Sequence, residues 1–251
     1  MVYITGDTHA NFHKFTIKNF PIQKQLTRED IVIICGDFGG IWSDTKEERY
    51  WLKWLEKRSF TICFVDGNHE NFDRLSTFEV VDFHGGKAHK IRDNIYHLMR
   101  GYIFDFEGKK FFAFGGASSH DIRDGILNPE DYANKDEFMK AYSDWYNRGK
   151  MFRVNHISWW KEELPSREEM ENGIESLQKC DWKVDYVISH CLPQEICSYI
   201  GFRGADTLTK YFNQLLRNKI EFKEWHAGHY HFDDRVYGRY FVHYHDIVRI
   251  L

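Results

Sequence analysis

Three unbroken apolar runs recur in the first third of the chain, each closing on glycine and a polar residue: VYITGD (2–7), IVIICGD (31–37) and TICFVDGNH (61–69). Continuous apolar runs predict strands buried on both faces, where an alternating pattern would predict one wet face. Between the second and third, WSDTKEERYWLKWLEK (42–57) sets Trp51, Leu52, Trp54 and Leu55 among charges. That spacing predicts a helix capped by Ser43 or Asp44. Strands alternating with helical segments predict parallel crossover units. Ligands of such sheets bind beyond the carboxyl ends of the strands.

After residue 95 the pattern changes. YIFDFEGKKFFAFGG (102–116) predicts a hairpin turning at EGKK, and VDYVISH (184–190) returns to a buried strand with a polar end. PEDYANKDEFMKAYSDWYNR, SREEMENGIESLQKC and ADTLTKYFNQLLRN read as helices, the last capped by Asp206. The tail RVYGRYFVHYHDIVRIL predicts two antiparallel strands turning at Gly238. Internal repeats, low-complexity tracts and linkers are absent from the sequence, so one domain over 1–251 with a helical insertion near 117–180 is the simplest organisation.

The composition adds exclusions. A net charge of -4 without runs of Lys or Arg weighs against a nucleic-acid partner. Five cysteines (Cys35, Cys63, Cys180, Cys191, Cys197) are an odd number without paired spacing, which favours reduced thiols and a cytoplasmic location. MVYITGD opens as a strand and not as a signal peptide, and the apolar runs fall far short of the ~20 residues of a membrane helix.

The chemistry lies where the strands end. GDTH (6–9), GDFGG (36–40), GNHE (67–70), SH (189–190) and GHYH (228–231) each follow a strand-like run. One strand-end Asp is usually a helix cap, and one His is usually a surface or hydrogen-bonded residue. Five such stretches at one sheet edge are not explained that way. Asp7, His9, Asp37, Asn68, His190, His229 and His231 make seven candidate donors. Carboxylate, imidazole and amide together suit Mn, Fe, Zn or Ni rather than the all-oxygen sites of Ca and Mg. Seven donors exceed one tetrahedral ion. With one bridging carboxylate they serve two ions, a pair that at about 3.5–4 Å apart clamps an in-line displacement at phosphorus.

The ordered set D-x-H, GD, GNH[DE], a lone His and G-H-x-H resembles the calcineurin-like metallophosphoesterase superfamily over residues 6–231. The resemblance implies an α/β four-layer sandwich, two mixed sheets flanked by helices. It implies two divalent transition-metal ions, one held by Asp7, His9 and His231, the other by Asn68, His190 and His229, with Asp37 bridging. It further implies hydrolysis of a small phosphodiester or phosphomonoester by a metal-activated hydroxide, with His69 as general acid. A nuclease, or a degenerate binding scaffold, is the alternative. Were GHYH extended, His229 and His231 would face one way and Tyr230 the other. His226 matches no motif position and reads as structural.

One departure stands out. The phosphoprotein phosphatase branch continues G-D-x-x-D-R-G, whereas GDFGGIW has Gly40 in place of the second Asp and no Arg after it. An orienting partner for His69 and a phosphate-binding cation are therefore expected from elsewhere. FGGASSHD (114–121) and ISWWKEELPS (157–166) resemble stretches of uncharacterised bacterial members of the same superfamily. They bring in Ser118, Ser119, His120, Asp121, Arg123, Arg153 and His156 as candidate substrate contacts. Of the adjacent Trp159 and Trp160, one is expected in the core.

Overall fold

The computed structural model describes residues 1–202 and 204–251. The apolar runs form the middle of a seven-stranded mixed sheet. Its parallel centre comprises β1 (Val2–Thr5), β2 (Ile31–Ile34), β3 (Thr61–Phe64) and, later in the chain, β6 (Ile95–Leu98). β4 (Val80–Phe83) and β5 (Gly86–Arg92) extend one side by antiparallel pairing. The second sheet repeats the plan. β8 (Lys109–Phe114), β11 (Tyr186–Ser189), β12 (Glu224–Ala227) and β14 (Tyr240–Val242) are parallel, flanked by antiparallel β7 (Tyr102–Phe106) and β13 (Asp234–Tyr237).

The alternation of side chains inside each run builds the layers. Val2, Ile4, Ile31, Ile33 and Cys63 of the first sheet meet Phe104, Phe111, Ala113 and Ile188 of the second between the sheets. The intervening residues Val32, Ile34, Ile62 and Phe64 face outward and pack under helix α1 (Lys46–Glu56) through Leu52 and Leu55. Phe112, Phe114, Val187 and Trp225 do the same beneath α4 (Arg167–Gln178), α5 (Gln194–Tyr199) and α6 (Thr207–Arg217). The four-layer sandwich is therefore as expected, and both faces of the central strands are buried.

Several local readings hold. Glu107 and Gly108, both in the left-handed region, turn the β7–β8 hairpin at EGKK. Asp206 caps α6 in a reciprocal capping box, and the same device at Ser166, which the sequence reading did not single out, caps α4. Other readings are corrected. The β1–β2 crossover carries only two 3₁₀ turns, Phe12–Phe15 and Pro21–Gln25. The stretch 117–180 is not purely helical: β9 (Gly125–Leu127) and β10 (Phe152–Val154) pair in parallel beside α3 (Lys135–Asn147). The tail makes the expected β13–β14 hairpin at Gly238, but β15 (Val248–Arg249) crosses to the first sheet and pairs antiparallel with β1.

The cap of α1 is Thr45, not Ser43 or Asp44. Asp44 has φ +52° and cannot start the helix, while the Thr45 side chain accepts from Glu48 N. Glu48 in turn accepts from the amides of Trp42, Ser43 and Asp44. Thr45→Ala should lower the unfolding free energy by about 1 kcal/mol with no change in denaturant slope, whereas Ser43→Ala should leave the urea midpoint in place.

Candidate functional site

The polar ends of β1, β2, β3, β11 and β12 converge at one edge, where both sheets present their carboxyl termini. Two glycines permit that convergence. A Cβ on Gly67 would stand 2.0 Å from Asp37 Oδ1, and one on Gly228 would stand 2.2 Å from Asp7 Oδ1. Each glycine thus admits the carboxylate of another motif against its backbone. The backbone is bent hard here as well: His9, Asp37, His229 and His231 all have positive φ, between +43° and +70°. Non-glycine residues held in that region cost of order 1 kcal/mol or more each, and such residues cluster at functional sites.

The two carboxylates anchor the geometry. Asp7 Oδ1 accepts from His229 N at 2.9 Å, and Asp37 Oδ1 accepts from His69 N at 2.8 Å. Their other oxygens face imidazoles. His231 Nε2 lies 3.1 Å and His9 Nε2 3.6 Å from Asp7 Oδ2. His190 Nε2 lies 3.3 Å and His9 Nε2 3.7 Å from Asp37 Oδ2. Asp7 Oδ2, Asn68 Oδ1 and His190 Nε2 are nonetheless buried without an aligned hydrogen-bond partner. Buried polar atoms are rarely left so. Two of the three residues, Asp7 and His190, also belong to clusters of potential cation ligands. Three groupings bring donor atoms within 4.8 Å of one another: Asp7–His9–His231, Asp7–Asp37–His190 and His9–Asp37–His69.

The electrostatics agree with a cation site. Burial raises the Asp37 carboxyl, but His190 overrides it and holds the pKa down to about 2. Burial disfavours charge on His190, yet Asp37 and Asp7 lift its pKa to about 10. Its Nδ1 is 2.7 Å from the Cys35 carbonyl, which accepts the proton there, so Nε2 is the nitrogen turned toward Asp37. Lys14, which no motif singled out, donates to the carbonyls of Asp7 (3.0 Å) and Tyr244 (2.6 Å) and to Thr5 Oγ1 (3.1 Å). Burial brings its pKa down to about 8, with Asp7 opposing. Lys14 ties the β1 end to the C-terminal loop; only its position seven residues past Asp7 was visible in the sequence.

GHYH is not extended. His229 and His231 both adopt left-handed backbone, so their divergence comes from φ and not from strand period. His231 reaches Asp7 and lies 3.2 Å from His9. His229 packs edge-on to His190, with ring centroids 4.9 Å apart. Tyr230 is buried as expected, its hydroxyl accepting from Leu192 N. His226 is buried between His243 (2.9 Å) and Glu224 (3.2 Å), away from the donors.

Position 40 explains the departure from the phosphatase motif. A Cβ there would stand 2.5 Å from the Phe38 ring and 2.9 Å from the Phe12 ring, so an aspartate does not fit. His69 instead faces Arg153, whose Nη2 is 3.2 Å from His69 Nε2. Arg153 is itself fixed by Asp121 Oδ1 (2.7 Å) and the Ser158 carbonyl (3.1 Å). Burial, opposed by Asp37 and reinforced by Arg153, keeps the His69 pKa below its ordinary value. Glu70 sits behind, accepting from Phe38 N (2.7 Å) and Gly39 N (3.3 Å), and so pins the GDFGG loop.

The other candidate contacts divide. His120 Nε2 meets His229 Nε2 at 2.8 Å, so the 114–121 loop does reach the site. Ser118 shares a cavity lining with His120 and His229, but Ser119 is turned inward onto Glu163 (2.6 Å). Arg123 is exposed and makes no hydrogen bond or ion pair among the described residues, so it is not brought to the cluster. His156 pairs with Asp73 (2.8 Å) in place of a phosphate, and Trp160, the core member of the tryptophan pair, donates to the same carboxylate (2.7 Å).

A two-sheet α/β sandwich that gathers carboxylates and imidazoles at one edge is the architecture of a metal-dependent phosphoesterase. The family model of calcineurin-like phosphoesterases matches residues 1–231, and the chain belongs to that family. Its last matched residue is His231, the last of the seven candidate donors. The chemistry common to the family is metal-dependent phosphoester hydrolysis. No curated protein matches the chain. No helix among the described residues is long and apolar enough to cross a membrane, and the five cysteines are free thiols.

Proposed function

We propose that the chain hydrolyses a small phosphodiester or phosphomonoester at a dinuclear centre. The observation that carries this reading is the set of three buried, unpartnered donor atoms, Asp7 Oδ2, Asn68 Oδ1 and His190 Nε2. Asp7, His9 and His231 would hold one ion, Asn68, His190 and His229 the other, with Asp37 shared. Mn, Fe, Zn or Ni suits the donors. Divalent cations there supply Lewis acidity, neutralising phosphate oxygens and acidifying water.

The chain's own residues do the rest. Arg153 replaces the cation that the second motif lacks, its guanidinium arriving from β10 already oriented by Asp121. It binds a phosphate oxygen and positions His69. A guanidinium only donates, so in this structure His69 Nε2 accepts. An anionic phosphate alongside Arg153 offsets that positive charge and favours a proton on His69, which then passes to the leaving oxygen. His120, against His229, contacts the substrate from the other side. The free thiols fit a reducing cytoplasm, and the charge balance favours a small substrate over nucleic acid.

The test is hydrolysis of bis-p-nitrophenyl phosphate and p-nitrophenyl phosphate by protein loaded with Mn²⁺. Activity is expected with one or both esters, and their ratio separates diesterase from monoesterase. Arg153→Gln should lower kcat/KM roughly 10²-fold, and Arg153→Lys should recover only part of it. Bound metal without hydrolysis of any phosphoester would overturn the reading in favour of a binding scaffold.

A further inference from the structure

The loop 115–121 reaches the candidate site with little backbone support of its own. Gly116 N donates to the Asp66 carbonyl at 2.8 Å and fixes where the loop starts. From 117 to 123, Ser119 N is the only backbone amide with an acceptor among the described residues. That acceptor is Glu163 Oε1, 2.9 Å away and 44 positions further along the chain. Glu163 Oε2 lies 2.6 Å from Ser119 Oγ. Both residues are buried, so water does not compete for these bonds.

The two residues after Ser119 each touch a different part of the site. His120 Nε2 meets His229 Nε2 at 2.8 Å, and Asp121 Oδ1 accepts from Arg153 Nε at 2.7 Å. Arg153 Nη2 in turn lies 3.2 Å from His69 Nε2. The Asp121 side chain is 50 % exposed, so its ion pair has little burial to hold it and depends on where the backbone puts it. Glu163 has an anchor outside the loop. It ends a 3₁₀ turn (Lys161–Glu163), and Trp160, just before that turn, donates to Asp73 of α2 (Phe72–Leu75) at 2.7 Å. The Ser158 carbonyl on the same stretch accepts from Arg153 Nη1 at 3.1 Å.

We propose that Glu163 is a positioning residue of the phosphoesterase site: by gripping Ser119 it sets His120 against His229 and Asp121 against Arg153. Cutting the one internal tie of a loop frees its orientation, and a misplacement of about 1 Å can cost roughly 10²-fold in rate. Burial raises the Glu163 carboxyl, opposed by the two bonds from Ser119. The grip does not depend on its charge. Ser119 N only donates, so Oε1 accepts, and the serine hydroxyl serves Oε2 as donor or as acceptor. The effect on turnover rests on the hydrolytic activity proposed above, whereas the placement of the two side chains does not.

Glu163→Gln keeps both bonds, its carbonyl accepting from Ser119 N and its amide donating to Ser119 Oγ, while Glu163→Met cuts both. In ¹H–¹⁵N spectra, Glu163→Met should displace the His120 imidazole and Arg153 Nε–H signals, and Glu163→Gln should bring them back toward the wild-type positions. Unmoved signals in Glu163→Met, or no recovery in Glu163→Gln, would overturn the inference whether or not any ester is hydrolysed. On the p-nitrophenyl ester that the wild type turns over, Glu163→Met should lower kcat/KM about tenfold, and less than about twofold in a His120→Ala, Arg153→Gln background. Equal factors in the two backgrounds would mark a general loss of structure and overturn it as well. Ser119→Ala removes Oγ but keeps the amide bond. It should move the same signals in the same direction, and it carries both comparisons should Glu163→Met not fold.

Discussion

Asp37→Asn should lower kcat/KM for p-nitrophenyl phosphate esters by about 10³-fold or more while leaving the fold intact. The Asp37 carboxylate faces groups from three of the motifs. Its Oδ1 accepts from His69 N, and its Oδ2 faces His190 at 3.3 Å and His9 at 3.7 Å. Asparagine keeps the bond to His69 N, because its carbonyl oxygen still accepts. It removes the negative charge that both ions would share, and its amide turns a donor toward the imidazoles. Preorganised electrostatic groups removed singly typically cost 10²–10³-fold, and a shared ligand affects two ions at once. His226→Gln is the matched control, since among the described residues the His226 side chain bonds only to His243 and Glu224; it should retain nearly full activity. An Asp37→Asn enzyme keeping a tenth of its activity at saturating Mn²⁺ would contradict the role.

The second large effect is on stability. Arg100→Met should cost about 3–5 kcal/mol, measured by urea unfolding at pH 7, because it leaves the Asp66 carboxylate buried without its cation. Both side chains are almost wholly buried (3 % and 2 % exposed), so water cannot substitute. The Asp66 backbone carbonyl also accepts from Gly116 N at 2.8 Å, so this pair braces the loops that carry Asn68 and His120. Asp66→Asn combined with Arg100→Met should be less destabilising than the sum of the single changes by roughly 1–3 kcal/mol. A single-variant loss under about 1 kcal/mol would show that the pair is not a structural keystone.

How much of this was legible in the sequence follows from what a residue pattern encodes. Apolar runs such as IVII and TICF report burial on two faces, and the strands are where those runs lie. Asp206 and the EGKK turn are local signals read by neighbours a few residues away, so the cap of α6 and the hairpin were within reach. The candidate donors could be picked out because each follows such a run. What escaped was set by backbone angle or by distant contact. The left-handed φ at His229 and His231 has no signature in two histidines and a tyrosine, so the extended reading of GHYH failed although Tyr230 packs as expected. Thr45 displaced Ser43 and Asp44 as the cap because Glu48 gathers the preceding amides. Arg153 lies 84 positions from His69, and Arg100 lies 34 from Asp66. Their pairing depends on how β10 and β6 are placed, which no short window contains. The absence of Asp at position 40 was visible; its cause, the rings of Phe12 and Phe38, was not.

The central claim is that seven donors hold two ions, split through the GHYH fork. Anomalous diffraction from crystals grown with Mn²⁺ or Zn²⁺ tests it most directly. The wild-type protein should show two peaks about 3.5–4 Å apart beside Asp37. His231→Ala should empty the one next to Asp7 and His9, and His229→Ala the one next to Asn68 and His190. A single peak in the wild type, or both variants emptying the same position alone, would contradict the account.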